Sequence, residues 1–161
     1  MRSVMLAQER DLRTFMLVMD QGDEAFAEIS RFAEQHAITA ASLTAIGAGT
    51  SITLGYFDPA EGDYRYTTFD EQVELASCIG DIADLDGAPV LHAHVVAGRR
   101  DSSAIAGHLK SFHVFPTMEV VLTETPARLR KRIDPATGLA LIAVGDSTAS
   151  EPSNQTGTRG G

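Results

Sequence analysis

Residues 90–109 read Val90-Leu91-His92-Ala93-His94-Val95-Val96-Ala97, then Gly98-Arg99-Arg100-Asp101-Ser102-Ser103, then Ala104-Ile105-Ala106-Gly107-His108-Leu109. The first run is apolar and β-branched and reads as a strand, and the second is polar turn chemistry. Period two places His92 and His94 on one face of that strand, roughly 6.6–6.8 Å apart at Cα. Two further strands are expected on either side of Pro116. Upstream, Val73, Leu75, Ser77 and Ile79 fall two apart before Asp84–Pro89 breaks the run. Strand signals dominate, which defines an α+β class built on a largely antiparallel or mixed sheet.

The rest of the chain extends this pattern. Residues 12–19 form an apolar run that ends in the turn Asp20-Gln21-Gly22. A helix follows, with Asp23 as its expected cap, Glu24 in its first turn, and Phe26, Ile29, Phe32 or Ala33, and Ala37 at helical spacing up to about His36. From Ala41 to Phe57 the chain is small and apolar with Gly47 and Gly49 inside it, predicting a strand, a glycine bend and another strand. Asp58–Asp63 is a turn leading to the strand formers Tyr64–Phe69, and Arg128–Ile133 with Leu139–Val144 suggests a last hairpin about Asp134–Gly138. The expected organisation is a lead-in over residues 1–11, one domain over 12–145, and a disordered tail from 146 to 161, where Ser, Thr, Gly, Asn and Pro dominate.

The chain has 161 residues, 43% of them hydrophobic and 22% charged, the profile of one globular domain. Thirteen Lys and Arg against 22 Asp and Glu leave a net charge of −9, which repels nucleic acid and anionic membrane surfaces on average. The single cysteine, Cys78, excludes an intramolecular disulfide and an all-thiolate metal site and suits a reducing compartment. Neither a signal-type apolar stretch near Met1 nor a run of about 20 apolar residues is found, so the expectation is a cytoplasmic protein without membrane contact.

Three of the five histidines, His92, His94 and His108, fall within seventeen residues. Two imidazoles on one strand face can converge on an ion, and Gly107 allows a bend that returns His108 to them. Three such ligands with an open fourth position make the catalytic kind of zinc site, although a strand histidine is also a common packing residue. Spacing alone leaves both readings open. His36 and His113 read as structural. Glu119 shares a face with Thr117, either as a general acid/base or imidazole partner near the metal, or as a solvent or interface carboxylate. Arg128, Arg130 and Arg132 alternate onto one face joined by Lys131, either a phosphate-binding surface in an oligomer or a solvated edge.

Leu91-His92-Ala93-His94-Val95, Ala106-Gly107-His108-Leu109 and Pro116-Thr117-Met118-Glu119-Val120-Val121-Leu122 together resemble the signature of the plants-and-prokaryotes-conserved domain family. Gly22-Asp23-Glu24, Ile46-Gly47-Ala48-Gly49 and Gly55-Tyr56-Phe57-Asp58 follow the same family in order, from about residue 12 to about residue 125. The resemblance implies a two-layer α+β subunit, a sheet with a flanking helix, that assembles as a homotrimer. The fold is also similar to that of acetolactate decarboxylases, whose zinc is held by a His-x-His pair and a further His. His92, His94 and His108 match that pattern, implying zinc or another divalent transition metal. Glu119 is the candidate catalytic residue, and a small anionic molecule, a keto or hydroxy acid, is the candidate ligand. The alternative is a DNA-associated regulatory module without enzymatic activity. No Arg-Gly-Arg-Pro core of the AT-hook type is present in the chain, so direct DNA binding is not expected.

Overall fold

The computed structural model describes residues 1–10, 12–125 and 127–149. The apolar run from residue 12 forms β2 (Leu12–Met19), and the expected lead-in supplies β1 (Arg2–Glu9), paired antiparallel with it. Alternation sends Phe15, Leu17 and Met19 into the core and leaves Met16 and Val18 half-buried on the opposite face. The helix α1 (Ala25–Gln35) buries Ala25, Ile29, Phe32 and Ala33 as one stripe. Its cap lies one residue later than expected. The Phe26 and Ala27 amides donate to the Glu24 carboxylate, whereas Asp23 accepts from the Asp20 amide and holds the preceding turn. The longer glutamate also accepts from the Phe112 amide at 2.9 Å, which fastens the helix start to the sheet.

The remaining long strands are β3 (Ala40–Asp58), β4 (Asp63–Phe69), β5 (Val73–Leu85), β6 (Ala88–Gly98) and β7 (Ala104–Glu124). With β1 and β2 they form a seven-stranded antiparallel sheet in the order β1-β2-β7-β6-β5-β3-β4. The strand, bend and strand expected over 41–57 run on as a single element. The two strands expected around Pro116 are likewise one, a correction with a clear cause. The pairing of β3 with β7 slips between Gly47↔Met118 and Gly49↔Val114, and Pro116 falls inside that slip, where its missing N–H costs no ladder bond.

Because β3 and β7 pair along both of their halves, β3, β5, β6 and β7 close on themselves. Leu43, Ile52, Leu75, Val95 and Phe112 belong to the core inside this curl, and α1 packs on β6 and β7 to cover it. The architecture is the expected α+β one, mostly antiparallel sheet with one α-helix among the described residues. Further on, β8 (Ala127–Arg128), β9 (Lys131–Ile133), β10 (Ala140–Ile142) and β11 (Thr148–Ala149) pair as β9 with β10 and β8 with β11. This segment lies along β5, where the Asp84 amide donates to the Leu129 carbonyl at 2.8 Å and Asp84 bridges Arg130. The expectation of a disordered tail from Asp146 fails at its start, since Thr148–Ala149 forms β11 on β8, and residues 150–161 lie outside the described residues. Among the described residues no helix is long and apolar enough to cross a membrane.

Closure places two backbones in close contact at Gly49, where a Cβ would sit 2.5 Å from the His113 carbonyl oxygen and 2.6 Å from the Phe112 ring. Gly49→Ala is therefore expected to lower unfolding stability in a urea titration by about 2 kcal/mol or more, the upper range for overpacking. Gly145→Ala, which meets open space, should change it by less than about 0.5 kcal/mol.

Candidate metal centre

The closed sheet decides which side chains meet. Leu91, Ala93, Val95 and Ala97 of β6 face the core, so His92 and His94 face outward. In the ladders Asp81 lies opposite His92, His94 lies opposite both Ile79 and His108, and His108 lies opposite Gly55. The three histidines anticipated from the sequence are thus brought together. One ring nitrogen from each lies within 4.8 Å of the others, and ring centroids are 5.1, 5.2 and 5.6 Å apart for the pairs 92–94, 92–108 and 94–108.

The donor set fits a divalent transition ion. His92 Nδ1 donates to Asp81 Oδ2 at 3.3 Å, which fixes the tautomer and leaves Nε2 available. His108 Nδ1 is buried with no hydrogen-bond partner among the described residues. An orphaned polar atom of this kind costs about 1–3 kcal/mol unless something occupies its lone pair or takes its proton. Burial, with His92, His94, Lys110 and Lys131 adding to it, pulls the His108 imidazole down to about 4. Burial and then the neighbouring His92 also lower His94. Both rings are therefore neutral near pH 7, the state that binds metal. Burial alone would raise the Asp81 carboxyl, but the hydrogen bond from His92 and the contact with Lys131 outweigh it and hold the group below its ordinary value.

An aromatic wall closes one flank. The Tyr64 ring lies 4.7 Å from His108, Tyr66 stacks on Tyr64 at 5.8 Å, and Phe57 meets Tyr64 edge-on at 5.6 Å. Gly55 makes room for it, since a Cβ there would come within 2.9 Å of Tyr64 and 3.0 Å of Tyr66. Lys110 sits over Tyr66, 5.7 Å from its centroid.

Glu119, the histidine His36 read as structural and the polar turn lie elsewhere. Glu119 is exposed opposite Val18 and Ile46, in a groove lined by Ile46, Glu74, Pro116 and Thr117 that contains none of the three histidines. His36 stacks on Phe32 at 3.9 Å at the helix end, and Asp101 accepts from Ser103 within its turn. The basic face is reduced. Arg132 pairs with Asp146, and Lys131, expected to join it, points the other way and is buried against Asp81. Asp81, Tyr64 and Tyr66 were not singled out for the site by sequence reasoning, and Lys131 was read only as part of the basic face. A register shift between Leu75 and Ser77 turns Ile79 and Asp81 to the face opposite the one that Val73 and Leu75 bury, so the period-two set starting at Val73 does not predict Asp81 beside the histidines.

A curled antiparallel sheet with one helix packed on its core and three imidazoles on its outer face defines a small α+β domain with a candidate metal centre. The sequence profile of the Plants and Prokaryotes Conserved domain matches residues 6–126, and the chain belongs to that family. No curated protein matches it significantly. Among solved structures it is similar to a metal-containing protein from Archaeoglobus fulgidus, 33% identical with a TM-score of 0.74 over 81% of this chain and 92% of that one. A plant- and prokaryote-conserved protein from Pyrococcus horikoshii is 29% identical, with a TM-score of 0.77 over 86% and 97% of the two chains. A candidate DNA-binding protein from Bacteroides thetaiotaomicron is also 29% identical, with a TM-score of 0.79 over 82% and 92%. The likeness to acetolactate decarboxylase is one of fold alone: a Staphylococcus aureus protein described as similar to that enzyme is 12% identical with a TM-score of 0.50, over 68% of this chain and 51% of that one.

The depressed His108 predicts how the metal-free protein responds to acid. Between pH 6.5 and about 4 the unfolded chain binds a proton at this residue that the folded chain does not. Stability must fall as pH drops through that window, and the contribution levels off below about 4, where both states are protonated. Denaturant titrations at neutral pH and at the acid end of the window should show this loss, and His108→Gln should make it shallower.

Proposed function

We propose that His92, His94 and His108 hold a divalent transition metal, zinc by the character of an all-imidazole donor set, in a homotrimeric protein that takes a small keto or hydroxy acid at the open position. The observation that carries this is the convergence of three ring nitrogens within 4.8 Å, one ring oriented by Asp81 and another with a buried, unpartnered nitrogen. The metal-containing relative from Archaeoglobus fulgidus supports it. A bound ion of this kind supplies Lewis-acid polarisation of a ligand oxygen. Around it, Asp81 orients His92, the Tyr64 and Tyr66 rings keep water from one flank, and Lys110, close enough to His108 to lower it, adds attraction for an anion. Trimerisation is supported by family membership and by an uncovered apolar sheet face on which Ile46 and Ile79 are each 59% exposed beside Met16 and Val121. Glu119 lies in the same face and would act in the site only from a neighbouring subunit.

Elemental analysis of untagged protein should return one ion per chain. His92→Ala, His94→Ala and His108→Ala should each lose it, whereas His36→Ala, His113→Ala and Glu119→Gln keep it. Retention of stoichiometric metal by folded His92→Ala and His108→Ala proteins would falsify the site. Light scattering at micromolar concentration should give three chains per particle, and a monomer would end the trimer reading.

A second reading, a DNA-associated module, draws on the description of the Bacteroides thetaiotaomicron relative. The net charge of −9 and the engagement of Lys131 and Arg132 by acidic partners weigh against it. Submicromolar duplex binding at about 150 mM salt, the physiological ionic strength, would reverse that order.

A further inference from the structure

Lys131 carries a charge yet is only 5% exposed, and it belongs to β9, beyond residue 126 where the family match ends. A lysine stem is easily buried, but its ammonium needs a partner when it follows. That partner is Asp81, whose Oδ1 lies 2.9 Å from Nζ in an ion-pair contact. The other oxygen, Oδ2, accepts from His92 Nδ1 at 3.3 Å. The three groups form a connected line from the C-terminal segment through β5 to the histidine cluster.

The segment bearing Lys131 is anchored independently of this contact. The Asp84 amide donates to the Leu129 carbonyl and the Ala143 amide to the Arg130 carbonyl, each at 2.8 Å, and Arg132 pairs with Asp146. Asp81 is less constrained. Its side chain is 32% exposed and its terminal torsion is intrinsically broad, so an unheld carboxylate can turn toward water.

We propose that Lys131 is a positioning residue for the histidine centre: by holding Oδ1 of Asp81 it aims Oδ2 at His92, so that His92 keeps its proton on Nδ1 and presents Nε2 outward. The inference deepens the metal reading and rests on it for its consequence. It gives the segment after residue 126 a part in the site that the matched domain does not supply.

The test uses the full chain labelled with 15N at histidine, metal-free and near neutral pH, where long-range 1H–15N spectra report the His92 tautomer. The parent protein should show the Nδ1–H form, and Lys131→Met should shift population toward Nε2–H. In zinc titrations Lys131→Met and Asp81→Asn should each weaken binding by about tenfold, the usual effect of losing a group behind a metal ligand. The double variant should bind no more weakly than Asp81→Asn alone, because the hold of Lys131 on His92 runs through Asp81 and loss of its positive charge near His108 does not weaken binding of a cation. A merely structural role would instead give additive losses. An unchanged His92 tautomer in Lys131→Met, or additive losses in the double variant, overturns the proposal. Lys131→Gln provides the same readouts should the methionine variant fail to fold. A parent protein that takes up no zinc defeats the metal reading alone, since the tautomer result still decides the role of Lys131.

Discussion

The pairing of β3 with β7 along nearly their whole length is the constraint on which the rest of the structure depends. Two strands of 19 and 21 residues can remain paired only if both bend together, and their register slips provide that bend. The slips draw β5 and β6 into a closed path with them and leave an interior that α1 covers. Closure also costs side-chain volume where the backbones meet, which is why Gly49 cannot bear a Cβ without displacing its neighbours. The same pairing sets His108 opposite Gly55 and, through β6, opposite His94. The candidate centre is thus a consequence of sheet register, and a one-residue slip would turn its histidines into the core.

What was legible in the sequence follows this logic. Alternation in β6 was readable because its inward positions are all apolar while two of its outward ones are imidazoles, so period two alone assigns His92 and His94 to a common face. The helix stripe was readable for the same reason, but its cap was not. Asp23 and Glu24 both carry carboxylates at the start, and the choice was made by a distant amide, that of Phe112. Pro116 signalled a break where the strand continues, because sequence does not show that β3 skips a pairing there. Lys131 sits among three arginines in a run that reads as one basic edge. Its inward turn depends on Asp81, fifty residues earlier, and no local pattern records that contact.

The electrostatics of the outer face favour neutral imidazoles and a balanced surround. Burial makes protonation of His108 costly, the two neighbouring rings and two lysines add to that cost, and Asp81 is shared between a lysine and a histidine. Lys131 and Asp81 offset one another, so the charge of an ion held by the three rings would be left largely uncompensated by the protein. An ion with that residual charge suits an anionic oxygen ligand better than a neutral one. This agrees with the direction in which Lys110 biases the site.

Location on the outside of the sheet carries one further requirement. Lewis-acid chemistry gains most where water is excluded, and within one chain the aromatic wall of Tyr64 and Tyr66 shields only the β4 side of His108. On the other side the nearest ladder neighbour of His94 is Ile79, an exposed apolar residue on the same face as Ile46 and the groove that contains Glu119. An apolar side chain left uncovered beside a polar cluster is better explained by a surface that another copy of the chain occupies than by one that faces water. The proposed trimer and the proposed centre are therefore coupled: whatever covers Ile79 would also set the access of solvent to His94, and only a neighbouring subunit would bring a carboxylate such as Glu119 toward the ring nitrogens.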